Sequence, residues 1–293
     1  MNAVLLAHGQ VGGPWVWTPH PDVWLVMGTV LGLYVLAVRV WGPRHTSPGE
    51  PPVTKTQVRF FAMGVLALWI GSDWPIHEIS ENYLFSVHML QHMIFSLIAP
   101  PLLLAGCPDW LLRRLLRPRW LMAVMRRMTR PIPALLAFNG YLVFSHWPGF
   151  VNATLSNGLL HFSAHAVLIV LAMLMWWPVL SPMPELPRIS SPAQMLYLFG
   201  QTIVPTVPAS FLTFAEHPIY QFYANAPRLF PGMNPVTDQG LAGLVMKLGG
   251  GILLWTVIAY LFFKWAARQE EGAPEVTNWQ ELERELNQVE TKQ

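Results

Sequence analysis

The chain has 293 residues, 53% hydrophobic and only 12% charged, whereas soluble domains carry roughly 25% charged residues. That composition excludes an ordinary soluble domain, and a net charge of +2 gives no footing for nucleic acid. Cys107 is the single cysteine, which excludes a disulfide framework and a CxxC metal hook, so any metal chemistry rests on His, Met and carboxylates.

Along the chain, apolar stretches of 17 or more residues recur. Each is long enough to cross a hydrocarbon core of about 30 Å at about 1.5 Å per helical residue. They predict an all-α polytopic membrane protein with about seven transmembrane helices in one bundle, near 22–42, 57–74, 83–106, 131–147, 158–180, 193–214 and 239–265. The expected plan is an extracytoplasmic segment over 1–21, the transmembrane domain over 22–268, and an acidic cytoplasmic tail over 269–293.

The segment before the first helix has His8 and His20 but no Lys or Arg. It lacks the basic region of a cleavable signal, so the first helix reads as a retained span. Arg39, Arg44, Lys55 and Arg59 follow that helix, and Arg113, Arg114, Arg117, Arg119, Arg126, Arg127 and Arg130 follow the third. The loops after the second, fourth and sixth helices offer Arg228 alone. This alternation predicts the N-terminus outside and the C-terminus in the cytoplasm. Between Trp110 and Met128 the arginines interleave with Leu, Trp and Met. That pattern suits either an amphipathic helix on the anionic inner leaflet or a solvated loop that fixes topology.

On this topology every histidine except His45 falls near the outer face. HMLQH places His88 and His92 four residues apart early in the third helix, and HFSAH does the same for His161 and His165 in the fifth. Residues at i and i+4 share a helix face with Cβ atoms about 6 Å apart. Two matched pairs at similar depth predict four imidazoles facing one another, and ionisable groups within a span mark functional paths. A metal or haem site is the expectation, set against histidines that only hydrogen-bond to a backbone carbonyl or to a serine such as Ser86 or Ser163. Imidazole suits Cu, Zn, Fe and Ni alike, so the spacing leaves the metal open.

Asp73 ends the second helix, where the dipole disfavours an anion, and Pro75 stops the helix. A bound cation, a histidine that Asp73 orients, or water around a loop would each compensate it. Glu78, Glu81, Glu216 and Asp238 are weaker candidates for the same part, with an ordinary surface carboxylate as the plainer reading of each. Met89 and Met93 lie about 100° from the histidine face and read as packing residues. Met233, in PGMNP, is freer to reach a metal. Lys247, inside the seventh helix, either snorkels outward or pairs with a carboxylate such as Asp73. His77, Met233, Asp238 and Lys247 are thus the accessory candidates.

Several stretches together resemble the CtaG family of cytochrome c oxidase assembly factors: YLFSVHMLQHMIFSLIAPPLLLAGCP, FSHWPGF, LLHFSAHAVLIVLAMLMWWPVL and TDQGLAGLVMKLGGG. Trp147, Pro148, Trp177, Pro178, Asp238 and Gln239 are in place. The resemblance implies a multi-pass plasma (cell) membrane protein, not an enzyme, that assists copper delivery or insertion into a haem-copper terminal oxidase. It implies His88, His92, His146, His161 and His165 as metal carriers, to which the residue reading adds Asp73. Its implied partners are oxidase subunits and the lipid bilayer, with an extracytoplasmic copper chaperone as a source of the ion.

Three other readings fit the same residues. One is a metal-free assembly scaffold. Another is a Zn-dependent membrane hydrolase using three histidines and Asp73, with Glu78 or Glu81 as base and no HExxH to supply one. The third is a haem b protein ligated by His92 and His165.

Overall fold

The computed structural model describes residues 13–46 and 49–272, and its ordered elements are all helices. His8 and most of the expected acidic tail lie outside the described residues. In chain order the helices are α1 (Pro21–Val40), α2 (Lys55–Ser72), α3 (Ile76–Asn82) and α4 (Phe85–Gly106). There follow α5 (Asp109–Leu115), α6 (Arg119–Met128), α7 (Pro131–Ser145), α8 (Pro148–Leu155) and α9 (Gly158–Leu180). The last three are α10 (Ser191–Phe214), α11 (Gln221–Asn225) and α12 (Pro235–Gln269).

Local sequence explains many of the starts. Pro21, Pro131, Pro148 and Pro235 occupy first turns, where a missing N–H costs no helical bond. Thr54 and Gln57 form a capping box at α2: Gln57 N donates to Thr54 Oγ1 at 3.2 Å and Thr54 N to Gln57 Oε1 at 2.9 Å.

Five helices, α1, α4, α9, α10 and α12, are long and apolar enough to cross a bilayer, which makes the chain a multi-pass membrane protein. The two other expected spans, α2 and α7, are helical as well and fall outside that set of five. α2 starts with Lys55, Gln57 and Arg59 in its first turns. α7 has 15 residues, about 22 Å against a core of about 30 Å. The arginine-rich stretch forms two short helices, α5 with Trp110, Leu111 and Leu112 buried and α6 with no residue buried.

α4 is the hub. In its most apolar window 56% of the residues are buried, against 11–28% in the other four long helices. It packs on α2, α3, α9 and α12. α2 approaches it closely because glycines leave room. A Cβ on Gly106 would sit 2.7 Å from Phe61 Cα, and one on Gly64 would sit 3.0 Å from Leu103 N. Small residues at such contacts let helix backbones come together in a membrane.

The start of α4 has no cap from its own N-cap residue, Leu84. Asp238 of α12 takes that part. Its Oδ2 accepts from Phe85 N at 2.7 Å, and its Oδ1 accepts from Ser86 N at 3.1 Å and Ser86 Oγ at 2.6 Å. Asp238 is 2% exposed, so the expected surface carboxylate and accessory ligand is instead a buried cap on the histidine helix. Just after His92 the helix widens into a π turn over Ile94–Ile98. There Ser96 Oγ donates to His92 O at 2.6 Å, and Trp176 Nε1 of α9 donates to Ser96 O at 3.0 Å.

Candidate metal centre

His88 is the fourth residue of α4 and His161 the fourth of α9, so each pair starts at the same depth along its helix. The helices run in the same direction, since His88 meets His161 near their starts and Trp176 reaches Ser96 further along. Helical spacing stacks the rings within each pair, with centroids 4.4 Å apart for His88 and His92 and 4.3 Å for His161 and His165. Across the helices the centroids are 5.6 Å apart for His88 and His161, 5.7 Å for His88 and His165, and 5.1 Å for His92 and His165. The predicted four-imidazole cluster is present.

Its nitrogens converge. His165 Nε2 lies 3.1 Å from His92 Nε2 and 3.2 Å from His161 Nε2. Neutral imidazole carries one N–H and one lone pair, so His165 Nε2 makes at most one good hydrogen bond with these two neighbours. His88 Nδ1 is buried and has no hydrogen-bond partner among the described residues. Such a group is costly unless something else satisfies it.

A cation fits that need. One ligand atom from each of His88, His161 and His165 lies within 4.8 Å of the others. With metal–nitrogen bonds of about 2 Å, trigonal or tetrahedral ligands sit about 3.3–3.5 Å apart. The 3.2 Å between His161 and His165 and the 3.1 Å between His92 and His165 need only tenths of an ångström of adjustment, while His88 stands within 4.8 Å of His161 and His165. The four histidines line a small cavity of about 20 Å³, bounded on its other side by Tyr141, Ser145 and Thr154. The 3.1 Å between His92 and His165 leaves no room for a macrocycle between their Nε2 atoms, which argues against the bis-histidine haem.

A carboxylate supports the cluster, and it is Glu81. Its Oε1 lies 3.4 Å from His161 Nδ1 and 3.0 Å from His77 Nδ1. An imidazole whose second nitrogen is held by a carboxylate is fixed in tautomer and orientation and binds metal more strongly. Burial, reinforced by the charges of Glu78 and Asp22, raises the Glu81 carboxyl to about 8 in the metal-free chain, so near neutral pH it keeps its proton until a bound cation draws it off. The sequence reading treated Glu81 as a surface group. The legible signal was His77 four residues before it in HEISE; its contact with His161 on α9 had no local trace.

Asp73 is engaged elsewhere. Its carboxylate accepts from Trp24 Nε1 and Trp69 Nε1, both at 2.7 Å, and from Trp74 N at 2.8 Å, with His20 Nδ1 at 3.1 Å. Of the compensations the sequence offered, the histidine is present as His20, and the indole N–H groups of Trp24 and Trp69 and the amide of Trp74 add to it. His146 closes α7 with Nδ1 at 2.7 Å from Leu142 O, and its Nε2 is buried with no hydrogen-bond partner among the described residues. Met233 packs against Ile79, Tyr83 and Leu84 rather than the histidines. Lys247 is exposed and joins none of the ion pairs among the described residues, Asp73 included. Met89 and Met93 are core residues, as their helical phase predicts.

The family model described as cytochrome c oxidase caa3 assembly factor (Caa3_CtaG) matches residues 32–268, a span that includes all four clustered histidines and Glu81. No curated protein and no solved structure matches the chain.

Proposed function

The chain belongs to the Caa3_CtaG family of cytochrome c oxidase caa3 assembly factors, and from that membership and the buried imidazoles we propose that it takes up copper near the outer face and passes it to an oxidase subunit. His88, His161 and His165 hold the ion, His92 completes the set, and the unbonded Nε2 of His146 is a further ligand as the ion moves. The step is ligand exchange rather than catalysis. A nitrogen-rich site with few soft ligands captures copper without the tenacity of thiolates, which suits a carrier.

The proposal includes seven spans, with α2 and α7 completing the five long helices. The N-terminus is outside and the C-terminus cytoplasmic, so that Lys55, Arg59 and the arginines of α5 and α6 face the cytoplasm. The histidine ends of α4 and α9 then open toward the outer face, where a copper chaperone would deliver.

One observation carries this reading: three Nε2 atoms meet at His165 at separations a metal would set, with too few protons to bond them all. Metal analysis of purified protein, wild type beside the His88→Ala, His165→Ala double variant, is the test. Copper retained by the wild type and lost from the variant is expected. Equal copper in both eliminates the site and leaves a metal-free scaffold for oxidase subunits.

A further inference from the structure

We propose that α6 is a binding surface for anionic phospholipid headgroups, in the leaflet at the end of the bundle remote from the histidines. The inference is independent of the copper reading. The chain leaves α4 at Gly106, and α5 and α6 fill its connection to α7. α1 ends at the same level, because Tyr34 Oη donates to Gly106 O at 3.0 Å. His88 stands near the other end of α4, roughly 27 Å from Gly106 along the axis at about 1.5 Å per residue.

α6 has the sequence RWLMAVMRRM, and its side chains divide into three sectors. Arg119, Arg126 and Arg127, all exposed, share one arc of about 100°. Leu121, Met122 and Met125 are partly buried against the core. Between these two sectors stand Trp120 and Val124, 69% and 49% exposed. A solvated loop calls for the first sector alone, and a helix resting on the protein in water calls for the first two. The third, an uncovered apolar strip beside the arginines, is satisfied by hydrocarbon just beneath a headgroup layer. Tryptophan is enriched at that depth, and basic amphipathic helices lie there with their charges outward.

The arginines call for an anion. Arg113 is engaged by Asp109 at 2.9 Å and Glu185 at 2.7 Å. Arg117, Arg119, Arg126, Arg127 and Arg130 are exposed and join none of the ion pairs among the described residues. Arg114 Cζ lies 4.0 Å from the centre of the Trp41 ring, which extends the basic and aromatic surface to the end of α1. A guanidinium donates two parallel N–H bonds to a phosphate. An acidic peptide would answer the guanidiniums alone, whereas a phospholipid supplies phosphate to the arginines and an acyl chain to Trp120 and Val124.

The test uses full-length protein in bilayers of phosphatidylcholine alone or mixed equally with phosphatidylglycerol, and counts the lipid retained after detergent extraction by mass spectrometry. The wild type should retain phosphatidylglycerol in preference, and that preference should fall about fivefold for each arginine removed by Arg119→Gln, Arg126→Gln and Arg127→Gln. High salt should weaken it. These side chains are exposed, so the substitutions leave the core intact. In bilayers whose phosphatidylglycerol has brominated chains, which quench indole on contact, the emission that Trp120→Phe removes should be a quenched one. Equal retention of the two lipids by the wild type, or Trp120 emission untouched by bromine, overturns the proposal. A triple variant with wild-type selectivity places the lipid elsewhere on the bundle and overturns it too. So does a preference that appears only after Glu281→Gln, Glu283→Gln and Glu285→Gln, since the surface then belongs to the chain's own acidic tail.

Discussion

Replacing Asp238 by Ala should loosen the start of the histidine helix from a residue more than 150 positions away in sequence. The carboxylate accepts three bonds, from Phe85 N at 2.7 Å, Ser86 N at 3.1 Å and Ser86 Oγ at 2.6 Å. Losing a helix cap costs about 1 kcal/mol, and leaving buried donors unsatisfied adds about 1–3 kcal/mol. The sum, about 2–4 kcal/mol, corresponds to a fall in melting temperature of about 4–16 °C, at about 2–4 °C per kcal/mol for a large domain. Thermal unfolding of detergent-solubilised protein reads this directly. Asp238→Asn, which keeps one acceptor oxygen but no charge, should lie between wild type and Ala, and Ser86→Ala should cost about 1 kcal/mol. An Asp238→Ala protein that melts within about 1 °C of wild type would refute the capping argument, since the bonds it removes would then contribute nothing net.

Glu81→Gln should weaken copper binding about 10–100-fold with unchanged stoichiometry; a competition titration checks it, and unaltered affinity removes Glu81 from the site. The same carboxyl makes stability depend on pH. Its value in the fold, about 8, is above the ordinary 4.5. Its contribution is therefore complete below about pH 4.5 and lost by about pH 8. The melting temperature of wild type relative to Glu81→Gln should fall across that window and then level off, and a constant difference would contradict the assignment. Gly106→Ala should destabilise by about 1–3 kcal/mol through overpacking, because the new Cβ would stand 2.7 Å from Phe61 Cα; a neutral substitution in the same melt would mean that α2 and α4 separate freely.

Helical class and the meeting of the two histidine pairs were legible because both depend on short-range periodicity. An i,i+4 pair shares a face on any helix, and two pairs at equal depth meet once their helices are neighbours. The carboxylates were read poorly for the opposite reason. Asp73 finds Trp24 and His20 at separations of 49 and 53 residues, and Asp238 finds Phe85 at 153. No local pattern encodes such partners, so the buried cap looks in sequence like a surface group and the anchored aspartate like a metal ligand. The helices at α2 and α7 were legible as apolar runs, and Lys55, Arg59 and the prolines at 131 and 148 mark why their apolar stretches are shorter than those of the five long helices.

The widened turn over Ile94–Ile98 separates the duties of α4. One additional residue in the coil shifts everything beyond it by about 100° around the axis. The imidazoles above and the glycine seam below are thus aimed independently, the first at α9 and the second at α2. Removing a single residue there would leave both sequences intact and yet misalign one contact whenever the other was satisfied, so the length of this segment is as much a determinant of the site as the ligands themselves.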